Sequence, residues 1–176
     1  MKSRFTIPLI MMCFLINVKG LNAQTLQSHL DQVELMKQFI GTWSMIVPKD
    51  TSRLIVEINP FGSAMEGTIR ITSKGRIVNE GRWLWGYNPE YDKFIAAEIS
   101  YNSPNVNLFT YSFTSEHKAE KIEMNDVPNA DPTSLISRFE FRTPDLIIQT
   151  VTRDDKILST FTITRVKEEE KDRQKK

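Results

Sequence analysis

Cysteine and histidine are nearly absent: Cys13 is the one cysteine and His29 and His117 the two histidines among 176 residues. Cys13 falls inside a stretch that reads as a removable leader, so the mature chain has no thiol. That excludes a disulfide framework and a cysteine nucleophile alike. Neither histidine has a ligand partner at a recognised spacing, whereas a zinc site draws on three or four groups, and both read as surface residues. No Gly-x-Ser-x-Gly elbow occurs, which removes the usual signature of a serine hydrolase. A basic stripe of the kind that nucleic acid requires is missing outside the C-terminal tail. There is also no apolar run of the roughly 20 residues that a spanning helix needs.

The first 23 residues carry a targeting pattern. Lys2 and Arg4 form a positive start, Ile7 to Val18 is apolar apart from Pro8 and Asn17, and Leu21-Asn22-Ala23 places a small residue before Gln24. Residues 1–23 are therefore expected to be a signal peptide and the protein to be exported, periplasmic or secreted. Ile10-Met11-Met12 ahead of Cys13 lacks the small residues of a lipid-attachment site. Without Lys2, Arg4 and Lys19 the formal charge moves from +1 to about −2. Residues 24–167 fit one domain with a sizeable core, and 168–176, which mixes Glu168-Glu169-Glu170 with lysine and arginine, reads as a charged flexible tail.

Leu26, Leu30, Val33, Met36 and Ile40 follow at steps of three and four, which predicts a helix over 24–40, with Ser28 and Asp31 marking its start. From Thr42 on the period changes. Short β-rich runs alternate with turn residues, predicting strands near 42–48, 53–59, 64–73, 76–87, 93–101, 106–114, 120–125, 134–142, 146–153 and 156–165. About ten consecutive antiparallel strands favour an all-β, up-and-down barrel, because closure removes exposed edges. The helix, too short to bury its stripe alone, is expected to close one end. The longer separator Asn125 to Pro132 is expected to cover a mouth.

Alternation divides each strand into two faces. Ile77, Asn79, Gly81, Trp83, Trp85 and Tyr87 share one; Phe109, Tyr111 and Phe113 share another; Ile157, Ser159, Phe161, Ile163 and Arg165 a third. Large aromatics beside small or polar residues suit a ligand cavity better than a solid core. Of the charged residues inside strands, Glu66, Arg70, Glu80, Arg82, Glu140 and Arg153 are assigned to the solvent face, and Glu98 and Arg138 are kept as interior candidates. The candidate ligand-binding set is Trp83, Trp85, Tyr87, Glu98, Phe109, Tyr111, Phe113 and Arg138.

Gly41-Thr42-Trp43 after a helix, about ten strands, and a terminal Thr162-Ile163-Thr164-Arg165 together resemble the calycin superfamily, which includes lipocalins and fatty-acid-binding proteins. The resemblance implies that Trp43 sits at the closed end of the barrel and that Arg165 covers it. Such a contact is worth about 0.5–2 kcal/mol. The turn Gly86-Tyr87-Asn88-Pro89, followed by Tyr91, is similar to that of bacterial lipocalin-like domains of uncharacterised function. The haem-binding nitrobindin branch has Gly-x-Trp-x-Gly; here Ser44 and Met45 follow Trp43, and no haem or other cofactor is expected.

The resulting expectation is a carrier of a small, largely apolar or lipid-like molecule, with Gly41, Trp43 and Arg165 structural at the base, and with no metal, no nucleic acid and no stable membrane insertion. Two rivals stay open. One is an isomerase or hydrolase acting on a lipid-like substrate through Glu98 or a tyrosine. The other is a solid-cored module that meets a protein partner near Asn125 to Pro132.

Overall fold

The computed structural model describes residues 30–47, 52–124 and 135–167. The expected leader, the first turns of the expected helix with His29, the Asn125 to Pro132 separator and the charged tail lie outside these residues. A short helix, α1 (Gln32–Met36), continues as a 3-10 turn over Lys37–Phe39. Ten strands follow: β1 (Gly41–Ile46), β2 (Arg53–Phe61), β3 (Ala64–Ser73), β4 (Arg76–Asn88), β5 (Lys93–Ser100), β6 (Ser103–Ser115), β7 (Lys118–Glu123), β8 (Ile136–Thr143), β9 (Leu146–Arg153) and β10 (Lys156–Arg165).

Each strand runs antiparallel to its sequence neighbours, and β10 returns to pair with β1 through Trp43 and Arg165, Ser44 and Thr164, Met45 and Ile163. The sheet is thus a closed up-and-down barrel, with every strand flanked on both sides. Eight strands enclose just enough space for side chains, so ten leave room inside. Two hairpins turn on two residues with positive φ, Lys74-Gly75 (+49°, +74°) and Asp154-Asp155 (+49°, +57°), matching the right-handed twist of the strands they join.

The helix differs from its sequence pattern. Asp31 caps α1 through Oδ1, which accepts from the Glu34 backbone N–H at 2.9 Å. The buried face consists of Gln32, Met36 and Phe39, and Val33 points to solvent. Gln32 belongs inside because its amide pairs with one residue of β6: Nε2 donates to the Phe113 carbonyl (3.0 Å) and Oε1 accepts from the Phe113 N–H (2.6 Å). Alternation also fails locally where pairing slips. Register shifts beside Ile77 on β4 and between Ile157 and Ser159 on β10 accompany the exposure of both isoleucines, which part from the inward residues that alternation grouped with them. Strand β6 starts earlier than expected, at Ser103, and β7 at Lys118.

Beside the β1–β10 ladder, one guanidinium ties the seam to the helical segment and to the turn before β9. Arg165 lies 4.1 Å above the Trp43 ring, as the sequence led one to expect. Its Nη1 donates to the Ile40 carbonyl (2.6 Å), Nη2 to that of Gln38 (3.3 Å) and Nε to that of Pro144 (3.0 Å), and Nε is 3.2 Å from Asp145 Oδ1. The Trp43 indole N–H donates to the Phe39 carbonyl at 2.8 Å. Gly41 makes the space: its φ is +128°, and a Cβ there would stand 2.2 Å from Arg165 Nη1. Gly41→Ala is therefore expected to lower stability by about 2–4 kcal/mol, and Arg165→Lys by about 1–3 kcal/mol because an ammonium replaces neither the fork nor the stack. Urea unfolding measures both; an unchanged midpoint for Gly41→Ala contradicts this account of the seam.

Candidate functional site

Alternation along the closed sheet sends one face of every strand inward, and these faces enclose a cavity of about 300 Å³. That is the lower end of the range for small-molecule sites. Met36 and Phe39 from the helical segment and Trp43 from β1 bound it on the side of the Arg165 seam; Trp83, Trp85, Tyr111 and Phe139 contribute aromatic wall. The Trp85 ring lies over Gly67 of β3, the residue opposite Trp83, where a Cβ would come within 2.8 Å of the indole. The three tryptophans of the chain all line this space. A larger depression, about 430 Å³, lies against Arg70, Glu80, Arg82 and Tyr101, all exposed. The interior cavity, with its mainly apolar lining, is the better candidate for a ligand site.

Of the residues singled out in the sequence, Trp83, Trp85, Glu98 and Tyr111 come together on the cavity wall. Phe109 is adjacent, with the Lys121 ammonium 3.7 Å above its ring. Phe113 is buried beside Phe39 and Phe141, with ring centroids at 6.0 and 5.7 Å, and belongs to the floor packing. Tyr87 clips its own turn, its hydroxyl donating to Asp92 Oδ1 at 2.7 Å. Arg138 is a correction. Phe139 and Phe141 point inward from β8, so Arg138 between Ser137 and Phe139 points outward; it is exposed and bonds Glu120 (2.9 Å) and Thr152 Oγ1 (3.2 Å).

Lys121 is the functional-site residue that sequence reasoning missed. Its strand carries Ala119, Lys121 and Glu123 on one face and Glu120 and Ile122 on the other, a pattern that reads as Ile122 inside. The barrel places Ala119 and Lys121 inside instead. The pairings Tyr111 with Phe94 and Tyr111 with Lys121 bring β5, β6 and β7 into line, and only with that register in hand does Lys121 meet Glu98. Met36, Phe39, Phe139 and Gln149 also line the cavity without having been singled out as site residues.

The polar part of the wall is one connected strip. Lys121 Nζ donates to Glu98 Oε1 at 2.5 Å, and the Tyr111 hydroxyl donates to the same oxygen at 3.2 Å. Side-chain exposures of 16% and 14% make this a largely desolvated ion pair. Burial lowers the Lys121 ammonium below 10.5, with the Glu98 carboxylate opposing. Burial, then Glu98, pushes the Tyr111 phenol well above 10.0. The Trp85 indole N–H faces the Tyr111 oxygen closely enough to oppose that shift, yet it makes no hydrogen bond of acceptable geometry. Among the described residues no group of three or more His, Cys, Asp or Glu side chains is placed to hold a metal ion.

No protein-family model matches this chain, and no curated protein matches it. The site is an aromatic chamber that carries, among the described residues of its lining, one internally paired charge couple.

Removing one member of that couple exposes its cost. Lys121→Met is expected to destabilise the fold by about 3–5 kcal/mol, and Glu98→Gln combined with it to recover most of the loss. Urea titrations at pH 7 check this; a Lys121→Met protein as stable as its parent contradicts the buried pair. The alkaline range supplies a second test. Between its lowered value and 10.5, Lys121 binds fewer protons folded than unfolded, so its contribution rises with pH and is complete above 10.5. Above pH 10 the unfolded chain sheds the Tyr111 proton that the fold retains, so stability falls. Tyr111→Phe lacks that second loss. Its deficit relative to the parent should shrink by up to about 1.4 kcal/mol per pH unit above 10; a deficit constant from pH 8 to 11 would show that the phenol titrates normally.

Proposed function

We propose that this protein is an exported, lipocalin-like carrier that holds a small, largely apolar molecule inside its barrel. The supporting observation is the cavity itself: a ten-stranded cylinder lined mainly by Trp, Phe, Tyr and aliphatic side chains, in which Glu98, Lys121, Tyr111 and Gln149 are the few polar groups. Sites for small molecules have this composition, apolar walls with a few oriented polar atoms. The likeness to calycins rests on Gly41, Trp43 and Arg165 standing together at one end of an up-and-down barrel, a fold-level analogy for the function. Export rests on the pattern from Lys2 to Ala23.

The carrier reading is favoured over an enzyme of the same cavity because the Glu98 oxygen nearest Tyr111 already accepts from two donors, which leaves it poorly placed as a general base. Native mass spectrometry of protein purified from its own host tests the reading. A non-covalent small-molecule mass is expected, and Ile163→Trp, which fills the cavity, should abolish it. A bare protein mass for the parent, together with no uptake of an apolar dye, would overturn the carrier.

A further inference from the structure

The following rests on the carrier reading and concerns which guest the cavity accepts. Two observations bear on it independently. The first is charge. Lys121 is the cation of the wall; Glu98 lies 2.5 Å from it on the wall, and Glu123, outside the lining, follows two residues along the same face of β7, opposite Phe109. Among the described residues the local balance is therefore negative, so a guest carboxylate meets repulsion in a medium that screens it poorly. The second is donor surplus. Trp85 is 2% exposed and its Nε1–H, which faces the Tyr111 oxygen, makes no hydrogen bond of acceptable geometry, while Lys121 carries three N–H bonds and gives one to Glu98. A buried donor left unpaired is a standing cost that an acceptor would relieve.

We propose that the barrel selects a neutral, largely apolar guest bearing one hydrogen-bond-accepting oxygen, such as a ketone, ester or aldehyde carbonyl, received by the Lys121 and Trp85 donors. A carboxylic acid of the same length is disfavoured because Glu98 and Glu123 already outnumber the cation. A plain hydrocarbon fits the aromatic wall and leaves the donors as they were. The site thus discriminates twice, against negative charge and for an acceptor.

Displacement of N-phenyl-1-naphthylamine from the full chain at pH 8 by 2-nonanone, nonanoate and nonane tests this. The ketone should bind at least tenfold more tightly than the carboxylate and about fivefold more tightly than the alkane. Trp85→Phe should shrink the ratio of ketone to alkane affinity, whatever it does to both through the altered wall. Glu123→Gln, a change nearer the strand end and independent of Trp85, should strengthen nonanoate several-fold and leave the ketone unchanged. Nonanoate binding as well as the ketone, or ketone and alkane binding equally, overturns the selection while the carrier stands. If the dye itself finds no site, the carrier reading falls and this inference falls with it.

Discussion

The guanidinium of Arg165 over the indole of Trp43 is the contact on which the rest of the molecule depends. It joins the last strand to the first, and the same side chain collects the carbonyls of Gln38 and Ile40 at the end of the helical segment and of Pro144 in the β8–β9 turn. A closed sheet has one seam that chain connectivity does not supply, and here that seam carries a cation–π stack on top of the β1–β10 ladder. Gly41 is the enabling residue, since any Cβ would occupy the place of Nη1. With Trp43 fixed from behind, its other side is free to form part of the cavity wall.

The barrel was legible because strand formation is local. Runs such as Ala64–Ser73 and Arg76–Asn88 alternate over most of their length between turn residues, and closure follows from having many short antiparallel strands and no place for an edge. The contact of Trp43 with Arg165 was legible through the resemblance that Gly41-Thr42-Trp43 and the terminal Thr162-Ile163-Thr164-Arg165 carry. What escaped was set by partners distant in sequence. Gln32 is buried because the Phe113 backbone offers both a donor and an acceptor 81 residues away. Lys121 is inside because Glu98 and Tyr111 wait there, although Ile122 beside it is the more hydrophobic choice. Arg138 looked like an interior group for the converse reason: a charge in a β-rich run, whose partner Glu120 lies across the outer face and is not visible without the register.

The interior shows two demands in tension. Aromatic wall and a desolvated ion pair sit badly together, since each charge loses hydration that only the other restores. The structure resolves this by wrapping the ammonium in ring faces, Phe109 at 3.7 Å and Trp83 at 5.4 Å, and by giving Glu98 the Tyr111 hydroxyl as a second donor. A barrel optimised for stability alone would fill the same volume with aliphatics. That it keeps a charge couple beside empty space is what makes the chamber a binding site in this account.

The central claim is that the cylinder is hollow and dry next to its tryptophans. Xenon enters apolar cavities that water leaves empty, and Trp43, Trp83 and Trp85 all face this one. Fluorine NMR of protein carrying 5-fluorotryptophan, recorded under increasing xenon pressure, therefore reports on the cavity at three points. The account predicts three resonances that shift and saturate together; resonances that stay fixed would show a solid barrel and contradict it.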